Sequence, residues 1–304
     1  MKYTVRTADG RRLSTQVYGD PDGKPVFLLH GTPGSRLGPH PRSAVLHRLG
    51  VQLIAFDRPG YGESDRLAGR RVADAATDVL TIADAFDLQN FSVVGRSGGG
   101  PHALACAALL PKRTTKAAVL VGLAPHGADG LDWFDGMGPT NVLEFTAARN
   151  GYEDIVARTR MVGDAVRADP ASLLAKLHAE LPDPDRRIVA DRGIRSMLIE
   201  SYAEALRTSD YGWIDDVCAF SSPWGFDPAT VTAPVLLWHG AGDVFSPASH
   251  ARWLADRIPN AAVVVQAGAA HFGALDVLPD ILRWLCAGRP SSCGPSRRSR
   301  SAGS

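Results

Sequence analysis

Three side chains in this sequence could together carry acyl transfer: Ser97, Asp243 and His271, in the order nucleophile, acid, base. A serine hydroxyl is a poor nucleophile at neutral pH and needs a base that removes its proton during attack. Imidazole, titrating near pH ~6.5, suits that task. An aspartate that accepts the other ring N–H would fix the tautomer and stabilise the imidazolium. Ser97 is the centre of Gly95-Arg96-Ser97-Gly98-Gly99. A chain that turns from strand to helix at such a point holds its central residue in a strained conformation, and flanking glycines leave room where a Cβ would clash. The Gly98 amide then lies at the start of the new helix, where free N–H groups can meet an oxyanion. With 31 glycines in the chain the pattern alone decides little. The elements around it carry the weight.

Those elements read as strands alternating with helices. Phe91 to Val94 is a short apolar, β-branched run, and Pro101 to Leu110 is Ala/Leu-rich with proline near its first turn. Upstream, Tyr3–Thr7 and Leu13–Tyr18 flank Asp9-Gly10, a hairpin signal. Pro25–Leu29 and Val51–Phe56 are continuous apolar strands that end in Gly/Pro-rich loops at His30–Ser35 and Asp57–Ser64. Val72–Phe86 has helical periodicity, and Ala117–Leu123 is a further strand. From about Pro125 to Pro223 the rhythm breaks. Aromatics sit on helix-like segments near 141–149, 152–168, 171–180 and 188–207, with no convincing strand. The strands resume at Ala233–Trp238 and Ala262–Gln266, each followed by a helix, Pro247–Ile258 and Leu275–Cys286. The expectation is an α/β fold with a mostly parallel, doubly wound sheet. Its core spans 1–124 and 224–287, a helical cap spans 125–223, and a disordered tail, polar and Arg-rich, spans 288–304.

Bulk properties narrow the function classes. A net charge of +1, with 33 basic and 32 acidic residues, gives no sign of a nucleic-acid partner. No apolar run approaches the ~18 residues of a membrane span, and the N-terminus lacks a signal-peptide core. Four cysteines, Cys106, Cys218, Cys286 and Cys293, show neither paired nor metal-like spacing. Cys106 and Cys286 fall in apolar helical patterns and read as buried thiols. A cytoplasmic protein without metal or cofactor, acting on a small molecule, is expected.

Each of the three side chains follows a strand's carboxyl end, where open α/β sheets keep their sites. Rivals exist. Asp215, Asp216 and Asp227 could supply the acid but lie near the end of the insertion. His102, a turn from Ser97, is the rival base. His30 and His239 end strands and read as loop tethers, whereas His40, His47, His126, His178 and His250 read as surface residues. Arg96 is either a structural donor, the favoured reading, or a contact for a substrate carboxylate.

The motifs His30-Gly31-x-Pro33-Gly34, Asp57-Arg58-x-Gly60-x-Gly62-x-Ser64, Gly95-x-Ser97-x-Gly99, Gly240-x-x-Asp243 and Gly268-x-x-His271 stand in this order. From Tyr3 to Cys286 the chain resembles an α/β-hydrolase with a helical cap. Trp224-Gly225-Phe226 is similar to a group of poorly characterised bacterial members. The resemblance implies Ser97, Asp243 and His271 as the triad. It also implies the Thr32 amide as the second oxyanion donor beside Gly98. His30-Gly31-x-Pro33 also resembles the loop of epoxide hydrolases and dehalogenases, but those use an Asp nucleophile where Ser97 stands here. Thr32 replaces the glycine of proline iminopeptidase-like loops, which weakens a peptidase assignment. The expected activity is a serine hydrolase, a carboxylic ester hydrolase above all, cleaving an ester, thioester or lactone of a small apolar acyl group. An aminopeptidase or a carbon–carbon bond hydrolase stays open, as do an acyltransferase and a non-hydrolytic receptor. Trp133, Phe134 and Trp213 are the expected substrate-binding residues of the cap.

Overall fold

The structure, a computed structural model, describes residues 1–287 of the chain. The expected tail at 288–304 and Cys293 lie outside the described residues. In chain order the elements begin with β1 Lys2–Arg6, β2 Arg12–Gly19, β3 Lys24–Leu29, α1 Ser43–Arg48 and β4 Val51–Phe56. Then come α2 Ala75–Ala85, β5 Phe91–Arg96, α3 Gly99–Leu109 and β6 Thr114–Leu120. Six helices follow: α4 Pro139–Asn150, α5 Tyr152–Ala168, α6 Ser172–Leu177, α7 Asp183–Ala190, α8 Arg192–Ala205 and α9 Tyr211–Phe220. The chain closes with β7 Val235–Gly240, α10 Ala248–Ala255, β8 Ala261–Gln266 and α11 Gly273–Cys286.

Eight strands form one sheet in the order β1-β2-β4-β3-β5-β6-β7-β8. β1–β2 and β2–β4 pair antiparallel, and the remaining pairs are parallel. The apolar runs explain the layering. Successive side chains of a strand point to opposite faces. Phe27 and Leu29 enter one buried cluster, with α2, α3 and α10 residues. Val26 and Leu28 enter the other, against Leu46 of α1 and Leu278, Ile281 and Leu282 of α11. Both faces are covered, so these strands are apolar throughout.

Two helices differ from the expectation. α1 went unread because its six residues are too few to show a period. α9 also went unread, although it is the best-buried helix of the insertion, with eight of its ten residues buried. A helix apolar on most sides has little periodic contrast. The expected helix at 188–207 is two, α7 and α8, separated at Asp191, whose side chain caps Gly193 and Ile194.

Candidate active site

At the end of β5 the chain turns directly into α3. Ser97 takes φ 53°, a left-handed conformation rare outside glycine. The Ser97 amide donates to the Leu120 carbonyl (2.8 Å), and its own carbonyl accepts from Gly100 (2.8 Å), which pins the turn. A Cβ on Gly95 would run into the Gly99 carbonyl, and one on Gly99 into that of Leu29. Those glycines are therefore required by close approach of strand and helix.

Asp243 follows β7 and His271 follows β8. Both carboxylate oxygens of Asp243 lie within hydrogen-bond reach of His271 Nδ1, at 3.0 and 2.9 Å. Asp243 is buried and well supplied with donors. The amides of Phe245 (2.8 Å) and Ser246 (3.1 Å), the Ser246 hydroxyl (3.2 Å) and His239 Nε2 (3.2 Å) all reach it. Burial pushes its pKa up. The charge of His271 and the hydrogen bonds of His239 and His271 outweigh that and hold it well below the usual carboxylate range. Ser97 and His271 line the same cavity.

Thr32, in the loop after β3, lies against Gly98, since a Cβ added to Gly98 would meet the Thr32 side chain. Both residues line the cavity. The Thr32 hydroxyl donates to Asp216 (2.6 Å) and accepts from Arg58 (3.0 Å). Asp216, on α9, is fully buried and also meets Arg58, Arg70 (2.7 Å), the Tyr61 hydroxyl (2.8 Å) and His102 Nε2 (3.3 Å). The rivals are thereby engaged elsewhere. Asp216 is a hub for two arginines, Asp215 pairs with Arg66, and Asp227 caps Ala229. His102 lies between the Val72 carbonyl and Asp216, and burial lowers its pKa to about 4, so at pH 7 it is neutral and donates its single N–H to one of them.

A family model described as alpha/beta hydrolase fold matches residues 24–276, which is most of the chain. The chain belongs to the alpha/beta hydrolase fold family. It is similar to a non-heme chloroperoxidase of Streptomyces lividans, 26% identical over 92% of this chain and 96% of that one. It is also similar to a 2-hydroxymuconate semialdehyde hydrolase of Pseudomonas putida, 27% identical over 85% and 84%. Among solved structures it superposes on a hydrolase from Pseudomonas aeruginosa PA01 with TM-score 0.67, at 20% identity over 93% of this chain and 96% of that one. It is a hydrolase of alpha/beta fold, and among the described residues no helix is long and apolar enough to cross a membrane.

The cavity of this alpha/beta hydrolase has a volume of about 110 Å³. Its walls come from the loops after β3, β5, β7 and β8 and from insertion helices. Trp213 lines it. Trp133 and Phe134 do not, which corrects the expectation for both. Trp133 is buried instead. Its Nε1 donates to the Ala124 carbonyl (2.9 Å), and its ring packs edge-on against Phe145 and His250. Phe134 packs on Trp133. Composition could not tell an aromatic that braces the insertion from one that faces its cavity. His250 is buried too, bound to Ala124 and Trp133, and is not a surface residue.

Asp185, on α7, is a residue that no sequence pattern marked. It is fully buried and accepts from the amides of Phe272 (2.8 Å) and His271 (3.1 Å), so the insertion grips the loop that carries His271. Asp185→Leu leaves two amides without partners and should cost about 2–4 kcal/mol in urea unfolding. A loss under half a kcal/mol would mean that solvent replaces the contact.

Glu144, on α4, faces the cavity and accepts from Trp213 Nε1 (2.9 Å). Burial pushes its carboxyl up to about 7, against the Trp213 hydrogen bond and the charges of Arg158 and Lys176. Between its ordinary 4.5 and 7, the native state keeps a proton that the unfolded chain has released. Its contribution to stability is therefore full below that window and lost as pH rises through it. Glu144→Gln should remove this slope, gaining on the order of 2 kcal/mol on its parent between pH ~5 and ~8. Unfolding curves at both pH values check it, and a variant that parallels its parent would count against it.

Proposed function

We propose that this hydrolase cleaves an ester, thioester or lactone of a small substrate through an acyl-enzyme on Ser97. The observation that carries this is a strained serine sharing one cavity with a histidine whose Nδ1 is clamped by a buried aspartate. Ser97 Oγ attacks the acyl carbonyl while His271 Nε2 takes its proton. Asp243, held ionised by its donors, keeps the Nδ1–H tautomer and stabilises the imidazolium. The Gly98 and Thr32 amides receive the oxyanion, and the Asp216–Arg58 grip on Thr32 supports their alignment. His271 then returns the proton to the leaving alcohol, thiol or hydroxyl. Water repeats the sequence on the acyl-enzyme and frees the acid.

A fluorophosphonate probe tests the reading, because it captures an activated serine. Wild type should label stoichiometrically, Ser97→Ala should not, and a panel of p-nitrophenyl esters should show turnover. An unlabelled wild type with no ester turnover would point to the receptor reading instead.

A further inference from the structure

The cavity holds a charge that no ion pair among the described residues balances. Arg96 immediately precedes Ser97 and lines the cavity with it. Its Nη1 is buried without a hydrogen-bond partner. The ionisable group that acts on it is Tyr202, a phenol that burial pushes up to about 12 and so keeps neutral. The other interior arginines are treated differently. Arg36 faces Asp57 and Glu204, and Arg58 and Arg70 both face Asp216. An arginine cannot shed its proton, so an unpaired one inside a protein is an uncompensated cost. Two further cations, Arg158 and Lys176, line the same cavity. The one acid on its walls among the described residues, Glu144, is influenced by both and is bonded to Trp213. The remaining walls are mostly apolar, with Leu123, Val217 and Phe220 among them.

We propose that Arg96 is the anchor for a carboxylate on the substrate, so that the substrate is the half-ester or lactone of a small dicarboxylic acid. A guanidinium fork matches a carboxylate in two parallel hydrogen bonds, and such a pair is strong where water is scarce. The bound carboxylate supplies the opposite charge that no described residue brings to Arg96. Because Arg96 and Ser97 are neighbours in the chain, anchoring the free carboxylate also sets where the scissile acyl group lies relative to Oγ. A structural donor, the reading that the sequence favours, would hydrogen-bond the protein, and the guanidinium donates to no described residue. The proposal rests on the acyl-enzyme reading for its reaction and on Arg96 alone for its ligand.

Two measurements separate these. The first compares mono-p-nitrophenyl adipate with the ester of equal length that ends in a carboxamide. Wild type should favour the carboxylate at least tenfold in kcat/KM, and Arg96→Met should lower that ratio at least tenfold. Arg96→Lys, which keeps the charge and loses the fork, should fall between. A ratio unchanged by either variant overturns the proposal. The second needs no catalysis and uses Ser97→Ala as the parent. Monomethyl adipate should raise its unfolding midpoint by about 2 °C or more at saturation, and should not move Ser97→Ala/Arg96→Met. Without ligand, the double variant should unfold at the higher temperature of the two, because an unpaired interior charge is gone. A lower midpoint for the double variant, or equal ligand shifts, overturns the carboxylate site even if neutral esters are cleaved. Carboxylate-dependent shifts without cleavage of any ester would sink the acyl-enzyme reading and leave the anion site standing.

Discussion

Ser97→Ala is expected to lower kcat on any ester that wild type turns over by about 10⁶-fold, while the protein stays folded. The size follows from covalent chemistry, because no other hydroxyl occupies the elbow. The fold should survive because Ala and Ser meet the same strain at φ 53°. Stability should therefore change by less than ~1 kcal/mol, and Ser97→Gly, free of that strain, should be the more stable of the two by about 1 kcal/mol. Kinetics and urea unfolding on the three proteins check both parts. Residual activity above about a tenth of wild type would remove Ser97 from the reaction.

The second large effect is at the acid. Asp243→Asn should cost about 10⁴-fold in kcat, because an amide facing Nδ1 favours the wrong imidazole tautomer. The site makes the change costly for stability as well. Five donors converge on the carboxylate, and the amide presents N–H to some of them, which should cost about 1–3 kcal/mol. Asp216→Asn should show the opposite balance. It strands Arg58 and Arg70 in the interior, so the main loss is stability, about 3–5 kcal/mol, with a smaller loss of rate through Thr32. A folded Asp216→Asn as inactive as Asp243→Asn would move the acid to α9.

The central strands β3 to β7 were legible because a buried parallel strand is a continuous apolar run, and the exposed edge strand β8 because its run is β-branched. Ser97, Asp243 and His271 were legible because each follows such a run, so locating the strand ends located the side chains. The cavity was much less legible. Trp133, Phe134 and Trp213 have similar chemistry and lie in one insertion, yet only Trp213 reaches the cavity. Which way a helix turns its aromatics depends on the helices it meets, and that information is not local. Asp216 and Asp185 were opaque for the same reason. Asp216 reads only as a rival acid near the end of the insertion and Asp185 as nothing in particular, because their partners lie far away in the chain. Arg96 was visible, but whether it had a partner was not.

The Asp216 cluster also has a bearing on how the chain is made. Arg58 and its carboxylate are 158 residues apart. At ~5–20 residues per second, a ribosome emits Asp216 roughly 8–30 s after Arg58. During that interval the two arginines have no anion to enter the interior with. The loop that holds Thr32 and the loop after β4 must therefore stay hydrated and open in the nascent chain. The early strands can pair by then, but the pocket floor over them sets only when α9 arrives. A chain released before that point would carry six of the eight strands, with two solvated cations where the pocket floor should be.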